Sequence, residues 1–501
     1  MSGPRNLADL VAHTAARRPD HTALIADDVV LTWSELNGRI DAAAAGLLSL
    51  GVGTGDRVAL QLGNGPDFPV AFFAALRAGL VAVPVAPDLP VPDLADRLED
   101  SGAAVLITSQ IAAIRAEHRA GLRLVVAGEV APDGAHSLAD MVAAGGTVPG
   151  PAGGDAGAVL SYPTGADAHP RGALLSHRAL LANLDQLAGI EPAPLRSSDI
   201  VLLAVPLFHT FGLGPGLCWL ARVGATGVLG GDGLDALPAH RVTAVLAAPG
   251  VYAHWIAETE RNELARAFAT VRLALSGSAP LPAAVADAVT AATSVVLHES
   301  YGQAETAPLL TTTLMSPHRK PGSVGRAVPG VQLWLRDEVG DPVDDGDPGE
   351  ILVRGPSLFS GYWPDGARPL DADGWFATGD VGYLDQDGDL FLVGRKREVI
   401  TVSGFTVYPA EVEAALQTHP AVAEVAVVGT PEETVTAFVV PDDEVAAEEL
   451  IAWSGRSLAR FKQPSRIEFV HELPHSATGR VRRIALRAEA AGGPAAPAEE
   501  N

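Results

Sequence analysis

The sequence predicts an α/β fold, with a large N-terminal domain of layered sheets and helices and a small C-terminal α+β domain. Three observations predict it. At 501 residues the chain exceeds what one hydrophobic core holds. Its first part alternates amphipathic helices with short Val/Leu/Ala-rich strands, the pattern of helices covering largely parallel sheets. After about Gly394 the pattern changes to short strands separated by two helices.

From Leu7 to Leu106 the alternation runs through the helix LADLVAHTAARRP, the strand HTALIADD, the helix TWSELNGRIDAAAAGLLSLG, the strand DRVALQL and the helix PDFPVAFFAALRAG. A Gly/Pro-rich connection, Val130 to Asp155, follows. Next come the strand AGAVL (Ala156 to Leu160), the loop YPTGADAHPRG (Tyr162 to Gly172) and the helix SHRALLANLDQLA, with Ser176 as its N-cap. Strand, loop and helix in this order form the context of a phosphate-cradling loop. The α/β texture resumes from Asp199 to Leu297. In the last part GRKREVITVSG, AVAEVAVVG, TVTAFVV and RIEFVHEL read as strands, and PAEVEAALQTHP and EVAAEELIAWSGRSLARF as helices. The boundaries implied are 1–393, 394–487 and a low-complexity tail, 488–501, expected to be disordered.

Lys and Arg total 35 against 60 Asp and Glu, a net charge of −25, which argues against a nucleic-acid or anionic-membrane partner. The opening MSGPRNLADL lacks the basic start and apolar core of a signal peptide, and no run of about 18 apolar residues occurs, so a cytoplasmic protein without a membrane span is expected. Cys218 is the only cysteine, which excludes a disulfide framework or a thiolate metal site within one chain; its apolar setting GLCWLA marks a core residue. The acidic runs DEVGDPVDDGDPGE and LDQDGDL lack the spacing of a calcium loop and read as tight turns.

The loop at Tyr162 resembles the signature Tyr-Thr-Ser-Gly-Thr-Thr-Gly-x-Pro-Lys-Gly of adenylate-forming enzymes, the superfamily of acyl-CoA synthetases, peptide-synthetase adenylation domains and luciferases. Tyr162, Gly165, Pro170 and Gly172 match it. Pro163 replaces the first Thr, Thr164 the Ser, Ala166 and Asp167 the Thr pair, Ala168 a Gly, and Arg171 the Lys. An ordered series downstream strengthens the resemblance: PLFHTFG, SGSAPL, ESYGQAE, GEILVRGPSLFSGYW, FATGD, GRKREVITVSGFTVYPAEVE and LPHSATGRVRR. It runs from about Asn6 to Arg487 and is closest to bacterial fatty-acyl-CoA ligases.

The resemblance implies roles residue by residue. Thr164, Gly165 and Arg171 would meet the phosphates, and His209 would line the acyl pocket. Ser278 belongs to a small-residue turn packed on adenine, Tyr301 stacks on that ring with Gly302 beside it, and Glu305 holds magnesium. Asp380 and Arg395 reach the ribose, Arg397 stands at the hinge of a mobile C-terminal domain, and Gly404 lies on the thioester face. Arg480 occupies the place of the Lys that catalyses adenylation. GEILVRGPSLFSGYW matches a structural strand-turn motif of the family, and its value is mainly recognition.

The nucleoside contacts are therefore kept, whereas the phosphate side is altered at Ala166, Asp167, Ala168, Arg171, Ala304 and Arg480. Arg retains the charge of Lys but aims a planar fork in place of a compact ammonium. A lost hydroxyl or misplaced cation costs about 10²-fold in rate, roughly 2.7 kcal/mol, where it removes a transition-state contact. The expected function is an acyl-acid ligase that uses ATP and Mg²⁺ to make an acyl-AMP and passes the acyl group to CoA or to the phosphopantetheine of an acyl carrier protein. Two alternatives are a non-catalytic homologue binding AMP or an acyl-adenylate, and a divergent enzyme performing another acyl transfer. The apolar segments FGLGPGLCWL and LAAPGVYAHWI point to an aliphatic or aryl carboxylic acid.

Overall fold

Short segments rich in Val, Leu and Ala become buried parallel strands because both of their faces are covered by helices. In the computed structural model, Val81–Val85 and Val105–Thr108 are buried at every position. The structure describes residues 3–110, 121–128, 131–148, 150, 153–162, 171–230, 233–337, 339–402, 405–430, 434–475 and 481–490. The expected disordered tail lies outside them from residue 491 onward. Two compact units are present: one from the described residues of Met1–Pro163, Arg171–Gln332 and Arg354–Pro369, the other from those of Leu333–Val353 and Leu370–Asn501.

The first unit carries two extended sheets. One has the order Gly361–Tyr362, Ala173–Ser176, Gly157–Ser161, Val81–Val85, Arg57–Gln61, Val105–Thr108, Arg123–Val126 and His136–Ser137. It is parallel from Gly157–Ser161 onward, and its first two pairings are antiparallel. The other runs from the hairpin Thr22–Ala26/Val29–Thr32 through Thr226–Leu229, Ile200–Ala204, Ala244–Ala247 and Leu273–Ser276 to Leu297–Gly302, parallel after the hairpin; Leu309–Thr312 and Ser323–Ala327 then add antiparallel strands.

The helices start where their caps allow. Ser176 accepts the Ala179 amide as the N-cap of His177–Ala188, as expected from sequence, and Thr32 with Glu35 forms a capping box on Trp33–Ser49. One core gathers Leu202, Val245, Tyr252, Trp255 and Phe268, with edge-to-face ring contacts of 5.7 and 5.9 Å between Tyr252 and Trp255 and between Trp255 and Phe268. Cys218 is buried in the first unit, as its apolar surroundings predict.

The second unit holds the antiparallel strands Gly349–Arg354, Phe376–Leu384 and Leu390–Arg395, the ladder Ile400–Val402/Phe405–Val407, and the sheet Val422–Gly429, Val435–Pro441, Arg466–Phe469. Val407, Val412, Leu416, Val427, Val439 and Leu450 form its core. Two local expectations are corrected, and PLFHTFG, for which the sequence suggests no element, gains one. GRKREVI is a strand end at Arg395, a single turn at Lys396–Glu398 and a new strand from Ile400. EVAAEELIAWSGRSLARF is α-helical only over Ala447–Ser454, stops before Gly455 and enters a separate 3₁₀ turn at Arg460–Lys462. PLFHTFG feeds a π-helical segment, Gly212–Cys218, which accommodates Pro215. The acidic runs are tight turns, as expected: Asp385 Oδ1 accepts the amides of Asp387 and Asp389 at 3.0 Å each. Among the described residues no helix is long and apolar enough to cross a membrane.

Candidate active site

The two ends of the Tyr162 loop are pinned by side chains of the first unit. Strands Gly157–Ser161 and Ala173–Ser176 pair antiparallel, with Ser161 opposite Ala173. A Cβ on Gly172 would lie 2.7 Å from Leu160 Cδ1 and 3.0 Å from Tyr162 Cζ, so the tyrosine ring occupies the space a side chain would need. The Tyr162 hydroxyl donates to Asp100 at 2.5 Å and Arg97 lies 3.9 Å above its ring. Burial, and then the hydrogen bond to Asp100, push this phenol far above its ordinary range. Thr164 and Gly165, with Ala166, Asp167, Ala168 and Pro170, lie outside the described residues.

Arg171, at the far end, donates from Nη2 to both oxygens of Asp365, at 2.7 and 2.8 Å, and its guanidinium carbon stands 4.7 Å from the centre of the Tyr362 ring. Tyr362 reaches this place because Gly361–Tyr362 pairs with Ala173–Ser176, Tyr362 opposite Ala173. Its hydroxyl donates to Glu305 Oε1 at 2.9 Å. The Phe359 amide donates to the Glu305 carbonyl oxygen, also at 2.9 Å. Arg171 and Glu305, both expected on the phosphate side, thus share one tyrosine.

Glu305 sits on the single turn Ala304–Thr306 directly after strand Leu297–Gly302, and is 7% exposed. Tyr301 is buried on that strand, and a Cβ on Gly302 would run into the Pro308 carbonyl oxygen, so only glycine fits. In the neighbouring parallel strand Ser276 pairs with Glu299. The chain then turns through Gly277 and Ser278, the latter at φ 74°, a conformation that non-glycine residues rarely adopt. A Cβ on Gly277 would approach Phe211 ring carbons to 2.5–2.8 Å. Glu299 ties the turn down: its Oε1 accepts the Leu281 amide at 3.0 Å. Burial raises its carboxyl to about 7, against the opposing pull of the Leu281 amide and Arg319. His209 lies two residues before Phe211, and its Nδ1 accepts the Phe211 amide at 3.3 Å.

In the second unit Asp380 and Arg395 are cross-strand partners, Arg395 Nε lying 3.4 Å from Asp380 Oδ1. The Asp380 amide donates to Thr378 Oγ1 at 3.1 Å, and Gly379 takes φ 74° just before it. Arg397 is exposed on the turn Lys396–Glu398. Gly404 and Arg480 lie outside the described residues.

Sequence reasoning missed Tyr362, Asp365 and Glu299. Tyr362 lies in a segment read as a structural strand-turn motif of value mainly for recognition. Glu299 carried a legible signal, a carboxylate at an inward position of the alternating strand LHESYG, buried every second residue. The buried Glu305 carboxylate is an oxygen donor of the kind Mg²⁺ takes, one or two carboxylates plus phosphate oxygens. The donor set therefore fits the ion that the resemblance implies.

Two α/β sheets in one unit and a smaller α+β unit agree with the fold that the resemblance implies. The family model of the AMP-binding enzyme matches residues 11–363, and that of the AMP-binding enzyme C-terminal domain matches 411–480. The chain belongs to this AMP-binding enzyme family. It is 34% identical to a long-chain-fatty-acid–CoA ligase of Yersinia pestis, over 97% of this chain and 94% of that one. It is also 34% identical to a feruloyl-CoA synthase of an Amycolatopsis species, over 94% and 96%. Among solved structures, the anthranilate CoA ligase AuaEII in complex with anthranoyl-AMP superposes with a TM-score of 0.89 at 30% identity, covering 97% of this chain and 98% of that one. ATP-bound MatB from Rhodopseudomonas palustris gives 0.87 at 30% identity, with 97% and 99% covered. The chain therefore stands among the acyl-CoA ligases.

Proposed function

We propose that this protein is an acid–CoA ligase that activates an aliphatic or aryl carboxylic acid with ATP and delivers the acyl group to the thiol of CoA. The observation that carries the reading is the Arg171–Tyr362–Glu305 arrangement, which keeps a cation and a buried carboxylate together next to the altered loop. In the first half-reaction a carboxylate oxygen of the acid attacks the α-phosphorus of ATP, the bond to the bridging oxygen breaks, and pyrophosphate leaves. In the second, the CoA thiol attacks the acyl carbon, the thiol proton is released and AMP departs.

Arg171 and Glu305 serve the phosphate side in this reading. Tyr301, Gly302 and Ser278 face the adenine, Asp380 and Arg395 the ribose, and His209 the acid. Mg²⁺, held by Glu305, would supply charge neutralisation of the phosphates. Gly404 is assigned to thioester formation and Arg480 to adenylation by the resemblance alone. The CoA-ligase names of the relatives favour CoA over an acyl carrier protein as acceptor. Pyrophosphate exchange across a panel of fatty, aryl and short-chain acids tests the proposal; folded protein silent with every acid, with and without CoA, would refute it.

A second reading has its own support in Asp167 and Arg480, which put a negative charge and a re-aimed cation at phosphate positions. In that reading AMP binds but adenylation is slow, and a supplied acyl-adenylate is converted to the thioester faster than free acid plus ATP. Equal or slower use of the adenylate would dismiss it.

A further inference from the structure

Tyr362 touches both charged groups that the proposed site uses on its phosphate side. Its backbone is held independently of either contact, by pairing with Ala173, by donation of its amide to the Ala367 carbonyl at 2.9 Å and by acceptance of the Gly366 amide at 2.7 Å. Phe359 supports the ring edge-on at 4.9 Å. The ring is thus fixed before its hydroxyl meets Glu305.

We propose that Tyr362 is a positioning residue for the phosphate side: its hydroxyl orients the Glu305 carboxylate while its ring carries the Arg171 guanidinium. The inference rests on the roles given to Glu305 and Arg171 under Proposed function. A carboxylate's terminal torsion is broad and roughly two-fold, so an unrestrained Glu305 would offer its oxygens over a range of directions. The donated hydrogen bond engages Oε1 and so limits the rotation of the carboxylate. On the other side, Asp365 holds Arg171, but both side chains of that pair are about half exposed, at 49% and 59%. Such a pair is weak, so the polyanionic tail of ATP displaces Asp365 while the stacking on Tyr362 persists.

The test is calorimetric binding to the full chain, in its native form and as Tyr362→Phe, with acid and CoA omitted so that no turnover occurs. AMP is titrated without metal, and ATP with and without Mg²⁺. Phe keeps the ring under Arg171 and removes only the hydroxyl. Metal-free AMP affinity stays within about twofold of native, whereas the gain in ATP affinity conferred by Mg²⁺ falls about tenfold, the effect of losing one hydrogen bond to a charged group. In a Glu305→Gln background the same Tyr362→Phe change has no further effect on that gain, because the tyrosine acts through the carboxylate.

A Tyr362→Phe protein with the native Mg²⁺ gain overturns the inference. So does one in which metal-free AMP binding falls by the same factor, since that marks a purely structural role. Native protein that gains nothing from Mg²⁺ overturns the assignment of Glu305 itself, and the inference with it, so the two failures read differently.

Discussion

Replacing Glu299 by Gln isolates the electrostatic consequence of placing a buried carboxylate under the Gly277–Ser278 turn. The side chain is 8% exposed, and its carboxyl is raised from 4.5 to about 7, chiefly by burial. Because the folded value lies above the unfolded one, the native state holds the extra proton between those limits. The group's contribution is complete below pH 4.5 and is lost as pH rises through about 7. The span between these values corresponds to about 3 kcal/mol at 1.36 kcal/mol per unit.

Gln is neutral at every pH, and its carbonyl oxygen still accepts the Leu281 amide, while its extra NH₂ costs about 1–3 kcal/mol if unpaired. Absolute stability of the variant is therefore a poor readout, and its pH dependence a good one. Thermal unfolding midpoints of native and Glu299→Gln protein are compared at pH 5 and pH 8. The difference, variant minus native, rises by about 3 °C over that interval at roughly 1 °C per kcal/mol for a chain of this size. Other titrating groups cancel in this double difference. A difference that stays flat or falls with pH refutes the argument that burial holds Glu299 protonated.

Three further outcomes are expected. Gly277→Ala forces the Phe211 ring to shift, because the new Cβ would sit 2.5 Å from ring carbon Cε2; overpacking of this kind costs about 1–3 kcal/mol and should raise the KM for the acid more than that for ATP, which acid-panel kinetics would read. Asp380→Asn removes the partner of Arg395 and lowers AMP affinity by about tenfold or more in calorimetry, with a near-native unfolding midpoint. Cys218 is buried and its thiol is pushed far above the ordinary range, so a thiol reagent labels the protein only on unfolding in denaturant. Rapid stoichiometric labelling of native protein would contradict that burial.

Much of the fold was legible because hydrophobic periodicity and cap residues act locally. Ser176, the run DRVALQL and the helix TWSELNGRIDAAAAGLLSLG identify themselves without knowledge of distant contacts. The second hairpin strand, Val29–Thr32, goes unmarked after HTALIADD, since two of its four residues face solvent and it shows no inward alternation. The π-helical segment was equally hidden, because Gly212, Gly214, Pro215 and Gly216 have poor helix propensity and are held by burial. At the site, Arg171 and Glu305 were recognised singly from motif positions. Their connection through Tyr362 depends on the pairing of Gly361–Tyr362 with Ala173–Ser176, a long-range register that no local spacing encodes.

That connection changes how the replacement of Lys by Arg at position 171 is to be weighed. Considered alone, the exchange sets a planar fork where a compact ammonium belongs. The neighbours present here suit the fork: a flat aromatic face at 4.7 Å and a carboxylate whose two oxygens are both engaged from one nitrogen. A lysine would keep a charge near Asp365 but would forgo the planar stacking on Tyr362. The substitution is thus matched by its surroundings, and the rate loss expected from a misplaced cation does not transfer to this position unchanged. The same criterion applies to each altered phosphate-side residue. A changed motif letter weakens the site only where no neighbouring group has a shape and charge that fit the new side chain.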